Sequence, residues 1–389
     1  MKEILFNKDI DAMQPSASIV FSEKAKRLAA EGKEVLSLTI GEPNFDTPKA
    51  VVEKAVEQMR AGNTHYCAGR GLPVLRKRIA KKLREENGIQ VTEDEILVTP
   101  GAKFAIYVVV RTLLNQGDEA IVLDPCWVSY SAIITAAGGK AVSVELPFET
   151  KHEITMELLE SGVSEKTRLL ILNTPNNPTG RMLNEKEAAI VAEFAKKHDI
   201  FVISDEIYEK IVFDGNKHIS LAANPEIADR VITINGLSKC AAMTGWRVGY
   251  LAGPKAIVDK INMLYQHAMT CIAGFAQEAA AVALDCTEEV EMQRSAFENR
   301  RDAFIKILSQ SPAIQVHVPE GAFYAWVKFD YKGMSGAEIC DYLLDTTGVL
   351  GVPGFAYGKG GDDCIRFSLA TDDKTLLEAA RRIVKAVEQ

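Results

Sequence analysis

The sequence predicts an α/β protein: a large domain with a mostly parallel central sheet covered by helices, plus a smaller α+β domain from the C-terminal part and the N-terminal arm. Three observations predict it. The chain has 389 residues, enough for a full core and for two or three domains. From Glu95 onward, short apolar runs alternate with helical segments, the pattern of parallel strands joined by right-handed crossovers. Beyond Pro254 the alternation gives way to a long helical stretch and then to mixed strands and helices.

The elements follow in order. Residues 22–32 and 48–61 have amphipathic helical spacing, and a Gly-Leu-Pro turn near residue 72 leads into a charged helix from Leu75 to Asn87. EILVTP, EAIVLDP, AVSVELP, RLLILNTP, IFVISDE, RVITING and GYLAGP are strand-like runs. Helices are expected from Gly101 to Leu114, Ser129 to Ala137 and Glu185 to His198. The stretch from Ala256 towards Arg301 is helical, with breaks near Ala273–Gly274 and around Cys286. IQVHV, FYAWVKF and CIRFSLA read as strands, and Gly336 to Thr346 and Lys374 to Val387 as helices. The expected division is an arm and part of the small domain over 1–44, the large domain over 45–285 and the small C-terminal domain over 286–389.

Composition narrows the function. A net charge of −8 argues against non-specific nucleic-acid binding and against an anionic membrane surface. The N-terminal MKEILFNKDIDAM lacks the apolar core of a signal peptide, and the apolar runs, such as Ala105 to Val110, are too short to span a bilayer. Seven scattered cysteines without CxxC spacing fit thiols in a reducing cytoplasm. Six histidines without ligand spacing predict no metal site.

Three strand-like runs end in polar residues: Asn177 within Asn-Asn-Pro-Thr-Gly, Asp205 followed by Tyr208, and Lys239 after RVITINGLS. Taken singly, Asn177 is a turn former, Asp205 a helix cap and Lys239 a solvated lysine. Jointly, an amide, an acid and an amine at the carboxyl ends of strands converge where α/β sheets bind small molecules. Pyridoxal 5′-phosphate (PLP) gives the set a reason. Its aldehyde condenses with a lysine amine, here Lys239. Its pyridine nitrogen needs a buried carboxylate, here Asp205, and its 3-oxygen needs donors such as Asn177 and Tyr208. Gly101-Ala102-Lys103 opens a helix after a strand and offers free N–H groups to the phosphate, with Ser238 and Arg247 adding a hydroxyl and a fixed charge.

Asn-Asn-Pro-Thr-Gly, Ser-Asp-Glu-Ile-Tyr, Ser-Lys followed by Met-Thr-Gly-Trp-Arg, and a late Ile-Arg-Phe-Ser, in this order, resemble the fold-type I, class I/II PLP aminotransferases. The resemblance runs from Gly41-Glu42-Pro43 to Arg366. It implies that Lys239 is the Schiff-base lysine and proton shuttle, and that Asp205 pairs with the pyridinium. It implies that Asn177 and Tyr208 bind the 3-oxygen, and Ser238 and Arg247 the phosphate. Arg366 then grips the substrate α-carboxylate, with Gly41, Trp127 and Asn177 also at the substrate. Trp127 matches the aromatic that stacks on the ring; by itself it reads as a core tryptophan. Tyr66 matches the tyrosine that reaches the phosphate in the neighbouring subunit, which implies a homodimer. Gly236 stands where some relatives carry a serine, and Cys126 where close relatives often have an aromatic residue.

Lys103 bears on the substrate. In the branch similar to bacterial aspartate aminotransferases, a lysine in this motif contacts the distal carboxylate of aspartate or glutamate, and Pro15-Ser16-Ala17-Ser18 resembles the arm that covers the pocket. The bland alternative is a solvated lysine in a first helical turn. The expected reaction is ping-pong transfer of an amino group between an L-amino acid, aspartate or another dicarboxylic donor, and 2-oxoglutarate. The alternatives are an aminotransferase for aromatic or sulfur amino acids and a PLP-dependent β-lyase. A PLP-sensing transcription regulator needs an N-terminal DNA-binding domain, for which about 20 residues before the first long helix are too few.

Overall fold

A computed structural model describes residues 6–11 and 13–388. The first five residues of the expected arm, Ala12 and Gln389 lie outside the described residues.

The central sheet has seven strands: β1 (Ile96–Thr99), β2 (Glu119–Asp124), β3 (Lys140–Glu145), β4 (Thr167–Asn173), β5 (Phe201–Asp205), β6 (Val231–Gly236) and β7 (Gly249–Ala252). Their spatial order is β1-β7-β6-β5-β4-β2-β3. β3, β2, β4, β5 and β6 pair in parallel. The middle strands are near-continuous apolar runs because helices cover both faces. One face packs on Val108, Ile134, Val258 and Tyr265, the other on Leu83, Val191, Phe194 and Ala280.

β7 corrects one expectation. GYLAGP forms a strand, but it runs antiparallel to both β6 and β1. Residues 237–248 contain turns and no helix, so the chain has no crossover with which to return parallel to β6. The strands meet as a hairpin with Gly236 opposite Gly249. A Cβ on Gly236 would lie 3.0 Å from the Gly249 Cα and 3.1 Å from the Val248 carbonyl oxygen. A serine here would need the neighbouring strand to give way, which accounts for the glycine.

A second sheet holds β8 (Ile314–Val316), β9 (Tyr324–Phe329), β10 (Val352–Pro353) and β11 (Cys364–Ser368), in the order β10-β11-β9-β8 and antiparallel throughout. Helices Gly336–Thr347 and Asp373–Val387 and the helix Thr287–Leu308 contribute to the core around it. The long helical stretch after Pro254 breaks twice, into Lys255–Ala268, Gly274–Ala283 and Thr287–Leu308. Residues 36–37 pair in parallel with 349–350 as a separate two-stranded sheet, which ties the N-terminal segment to the chain just before β10. That pairing is too short to leave a period in the sequence. Among the described residues no helix is long and apolar enough to cross a membrane.

Candidate active site

β2 leads outward to β3, whereas β4 leads the other way to β5 and β6. A crevice forms at the carboxyl ends of strands where such an order reverses. A cavity of about 320 Å³ lies there. It is lined by Trp127 and Tyr130 after β2, Asn173 and Asn177 at the end of β4, Asp205 and Tyr208 at β5, and Ser238 and Lys239 after β6. Gly41, Ala102, Lys103, Arg247 and, from β11, Arg366 complete the wall, with Ser16 and Ser18 of the arm across it. Gly101 stands just behind, and its neighbour Arg247 reaches the cavity. Tyr66 lies elsewhere, 87% exposed on the single chain.

The register places Asp205 between Asn173 and Ile234. Its carboxylate is 3% exposed and accepts the Tyr130 hydroxyl at 2.6 Å and the Ile207 N–H at 3.3 Å. Burial pushes its pKa up to about 6, with those two hydrogen bonds pulling it back. Lys239 sits on the turn after β6, and its ammonium donates to the Gly41 carbonyl at 2.6 Å. Burial lowers its pKa to about 8. Asn173 braces the wall: its amide donates to the Asp205 carbonyl at 2.9 Å and its oxygen accepts the Asn177 N–H at 2.8 Å.

Arg366 is 2% exposed although it carries a full charge. Its guanidinium donates to Asn177 Oδ1 at 3.2 Å and to the Thr39 carbonyl at 2.5 Å, and it lies 4.5 Å over the Tyr324 ring and 5.1 Å from that of Tyr357. Among the described residues its Nε has no partner. A buried cation held by neutral acceptors with a donor left over is a receptor for an anion. Tyr324 in turn exchanges a hydroxyl contact of 2.9 Å with Tyr208. A side chain at Gly41 would put its Cβ 2.4 Å from the Tyr324 oxygen.

The opposite end of the cavity is cationic. The helix Ala102–Leu113 begins after Gly101, whose φ of +85° suits glycine. A Cβ there would lie 2.3 Å from Arg247 Nη2, so the glycine opens the space that the guanidinium uses. Arg247 itself has φ of +54° and donates to the carbonyls of Thr244 at 2.6 Å and Pro100 at 3.1 Å. Lys103 Nζ lies 4.9 Å over the Trp127 ring. Burial, then the Arg247 charge, lowers its proton affinity.

Sequence reasoning did not single out Tyr130, Asn173 or Tyr324. The signal for Tyr130 was its spacing from Trp127, since residues three apart on a helical turn share a face. For Tyr324 it was strand register: Trp326 stands opposite Arg366, which makes Tyr324 a diagonal neighbour of Arg366 on the same sheet. Elsewhere, Glu206, Glu209 and His218 bring three metal-type donors within 4.8 Å of one another. Lys82 already pairs with Glu209, and His218 contacts Glu206 at 2.9 Å.

The residues fit PLP: an amine whose pKa is lowered to about 8, a buried carboxylate, an amide with a tyrosine, and a cationic helix start lie around one cavity. Comparisons with known proteins agree. The model of the family "Aminotransferase class I and II" matches residues 33–383. An aspartate aminotransferase of Musicola paradisiaca is 40% identical over 96% of this chain and 94% of its own. An arginine–pyruvate transaminase of Pseudomonas aeruginosa is 39% identical over 91% and 90%. The solved structure of an aspartate aminotransferase from Thermus thermophilus with maleate superposes with a TM-score of 0.94 at 34% identity, covering 99% of this chain and all of that one.

Proposed function

The chain belongs to the class I and II aminotransferases, PLP-dependent enzymes, and from that membership we propose a transaminase whose preferred amino donor is aspartate or another dicarboxylic amino acid, with 2-oxoglutarate as acceptor. The observation that carries the donor class is the pair of cations on one cavity: Arg366 for the α-carboxylate that every amino acid has, and Lys103 for a second carboxylate.

When bound, PLP supplies an aldehyde that takes up the amino group and a protonated ring that withdraws electrons from the substrate α-carbon. The chain's residues do the rest. Lys239, its pKa lowered to about 8, reaches the neutral amine at lower pH than an ordinary lysine and moves the proton of the α-carbon. Asp205 holds the proton on the ring nitrogen. Asn177 and Tyr208 bind the 3-oxygen. Ser238, Arg247 and the N–H groups from Gly101 to Lys103 hold the phosphate, and Trp127 covers the ring face. Ser16 and Ser18 of the arm border the opening and limit water.

The same reading makes the active unit a homodimer in which Tyr66, exposed on the single chain, reaches the phosphate in the second copy. It divides the chain into the arm at 1–44, a PLP-binding domain at 45–285 and a small domain at 286–389, supported by the separate seven-stranded and four-stranded sheets. Seven cysteines, all free thiols, support a cytoplasmic setting.

The test is a single-turnover absorbance assay of the half-reaction with aspartate, glutamate, alanine, phenylalanine and arginine. Aspartate or glutamate should exceed the others in kcat/KM by about tenfold or more. A lead for phenylalanine or arginine overturns the dicarboxylate reading. Pyruvate released from a cysteine conjugate without any acceptor marks a β-lyase instead.

A further inference from the structure

We propose that Tyr130 is a positioning residue for the cofactor ring: its hydroxyl holds the Asp205 carboxylate ionised and correctly turned, so that the shared proton stays on the pyridine nitrogen. This rests on the reading of Asp205 given above and extends it to a residue that has no role there.

Tyr130 lies in the first turn of the helix Ser129–Ala136 and is 1% exposed. Its hydroxyl meets Asp205 Oδ2 at 2.6 Å, the length of a charge-assisted O–H···O⁻ bond. The hydroxyl donates and the carboxylate oxygen accepts. Burial, then the Asp205 charge, pushes the phenol well above its ordinary range, so the tyrosine keeps its proton and donates. The other carboxylate oxygen has the Ile207 N–H at 3.3 Å, a longer and weaker bond. Tyr130 is therefore the stronger of the two tethers.

Burial is the largest influence on Asp205 and favours its neutral form; Glu206 acts in the same sense, and Lys239 opposes it. A neutral carboxylic acid cannot stabilise a pyridinium. The Tyr130 hydrogen bond lowers the basicity of the carboxylate and so leaves the shared proton on nitrogen. The tyrosine ring also stands edge-on to Trp127, with centroids 5.3 Å apart and planes at 85°. One side chain thus borders both the nitrogen edge and the stacking face of the ring site.

Tyr130→Phe keeps the ring and its packing on Trp127 and deletes the donor. In cofactor-free protein, a carbon-13 NMR titration of the Asp205 carboxyl should show its midpoint rise from about 6 by about one to two units. PLP affinity should fall about tenfold or more, whereas adding Tyr130→Phe to Asp205→Asn should change it by less than about twofold, because no carboxylate remains to hold. An unchanged Asp205 midpoint in Tyr130→Phe of normal melting temperature overturns the proposal. If Asp205→Asn alone leaves PLP affinity intact while the midpoint still moves, the reading of Asp205 has failed and the tether has not.

Discussion

Replacing Lys103 by alanine separates two contacts of different scope. The first is its ammonium over Trp127, 4.9 Å from the ring centroid. At a partly exposed site such a contact is worth about 0.5–1 kcal/mol. Its loss loosens the stacking residue for every donor alike and lowers kcat/KM by ~2- to 5-fold. The second is the charge-assisted hydrogen bond to a distal carboxylate, worth about 1.5–3 kcal/mol, or ~10- to 150-fold, and made by dicarboxylic donors alone. Lys103→Ala should therefore slow alanine slightly and aspartate severely. The ratio of the two kcat/KM values, which cancels the shared contact, should fall by about 10- to 150-fold. The assay is the half-reaction absorbance change under single turnover with each donor. A ratio that stays within about twofold of wild type refutes the reasoning and leaves Lys103 a residue of the phosphate end or of the fold. The lowered proton affinity of Lys103 adds a pH signature in the same assay. The cation is lost as pH rises, at lower pH than for an ordinary lysine, so the aspartate preference should decline with it.

Lys239→Ala should abolish turnover while the protein still folds, and borohydride should no longer fix the cofactor to the peptide containing residue 239; multiple turnover near the wild-type rate contradicts its role. In the cofactor-free protein, the pKa of Asp205 is raised to about 6 from 3.8, so the folded state binds this proton more tightly than the unfolded chain. The stabilisation is full below about 3.8 and is lost as pH rises through about 6, a change of about 3 kcal/mol between wild type and Asp205→Asn in urea titrations. Parallel stability profiles for the two proteins count against that shift. Mixing inactive Tyr66→Ala and Lys239→Ala should restore activity once subunits exchange, because one site of the mixed dimer then carries neither lesion; exchange shown by mass spectrometry without recovery excludes a shared site.

The architecture was legible where burial dictates composition. RLLILN, FVISD and VITING are apolar throughout because each is an inner strand covered on both sides, and the chemistry at their ends stood out against that background. The direction of GYLA was not legible, since an antiparallel strand buried on both faces has the same composition as a parallel one. What reveals it is the missing helix before it. Tyr130 and Tyr324 escaped for a related reason. A buried tyrosine looks like core until its hydroxyl is seen to meet Asp205 or Tyr208, and those partners lie 75 and 116 residues away in the chain. Arg366, by contrast, was reached only through the resemblance of its Ile-Arg-Phe-Ser segment to the family; that it lies buried inside an apolar strand is what the structure adds.

The hairpin that joins β6 to β7 carries both Lys239 and Arg247 on one closed loop, whose ends are clamped by the meeting of Gly236 and Gly249. A Cβ on Gly249 would lie 2.6 Å from the Ala102 nitrogen, so the clamp is also seated against the start of the helix Ala102–Leu113. The separation of amine and guanidinium is therefore a gauge length, set by the number of residues in the loop and not by two parts free to drift apart. A molecule engages both ends only if its carbonyl and its anionic group span that length. Anyone who redesigns this enzyme for new donors can vary the arm and the Lys103 side chain, but one residue added to or taken from this loop would miscalibrate the tool.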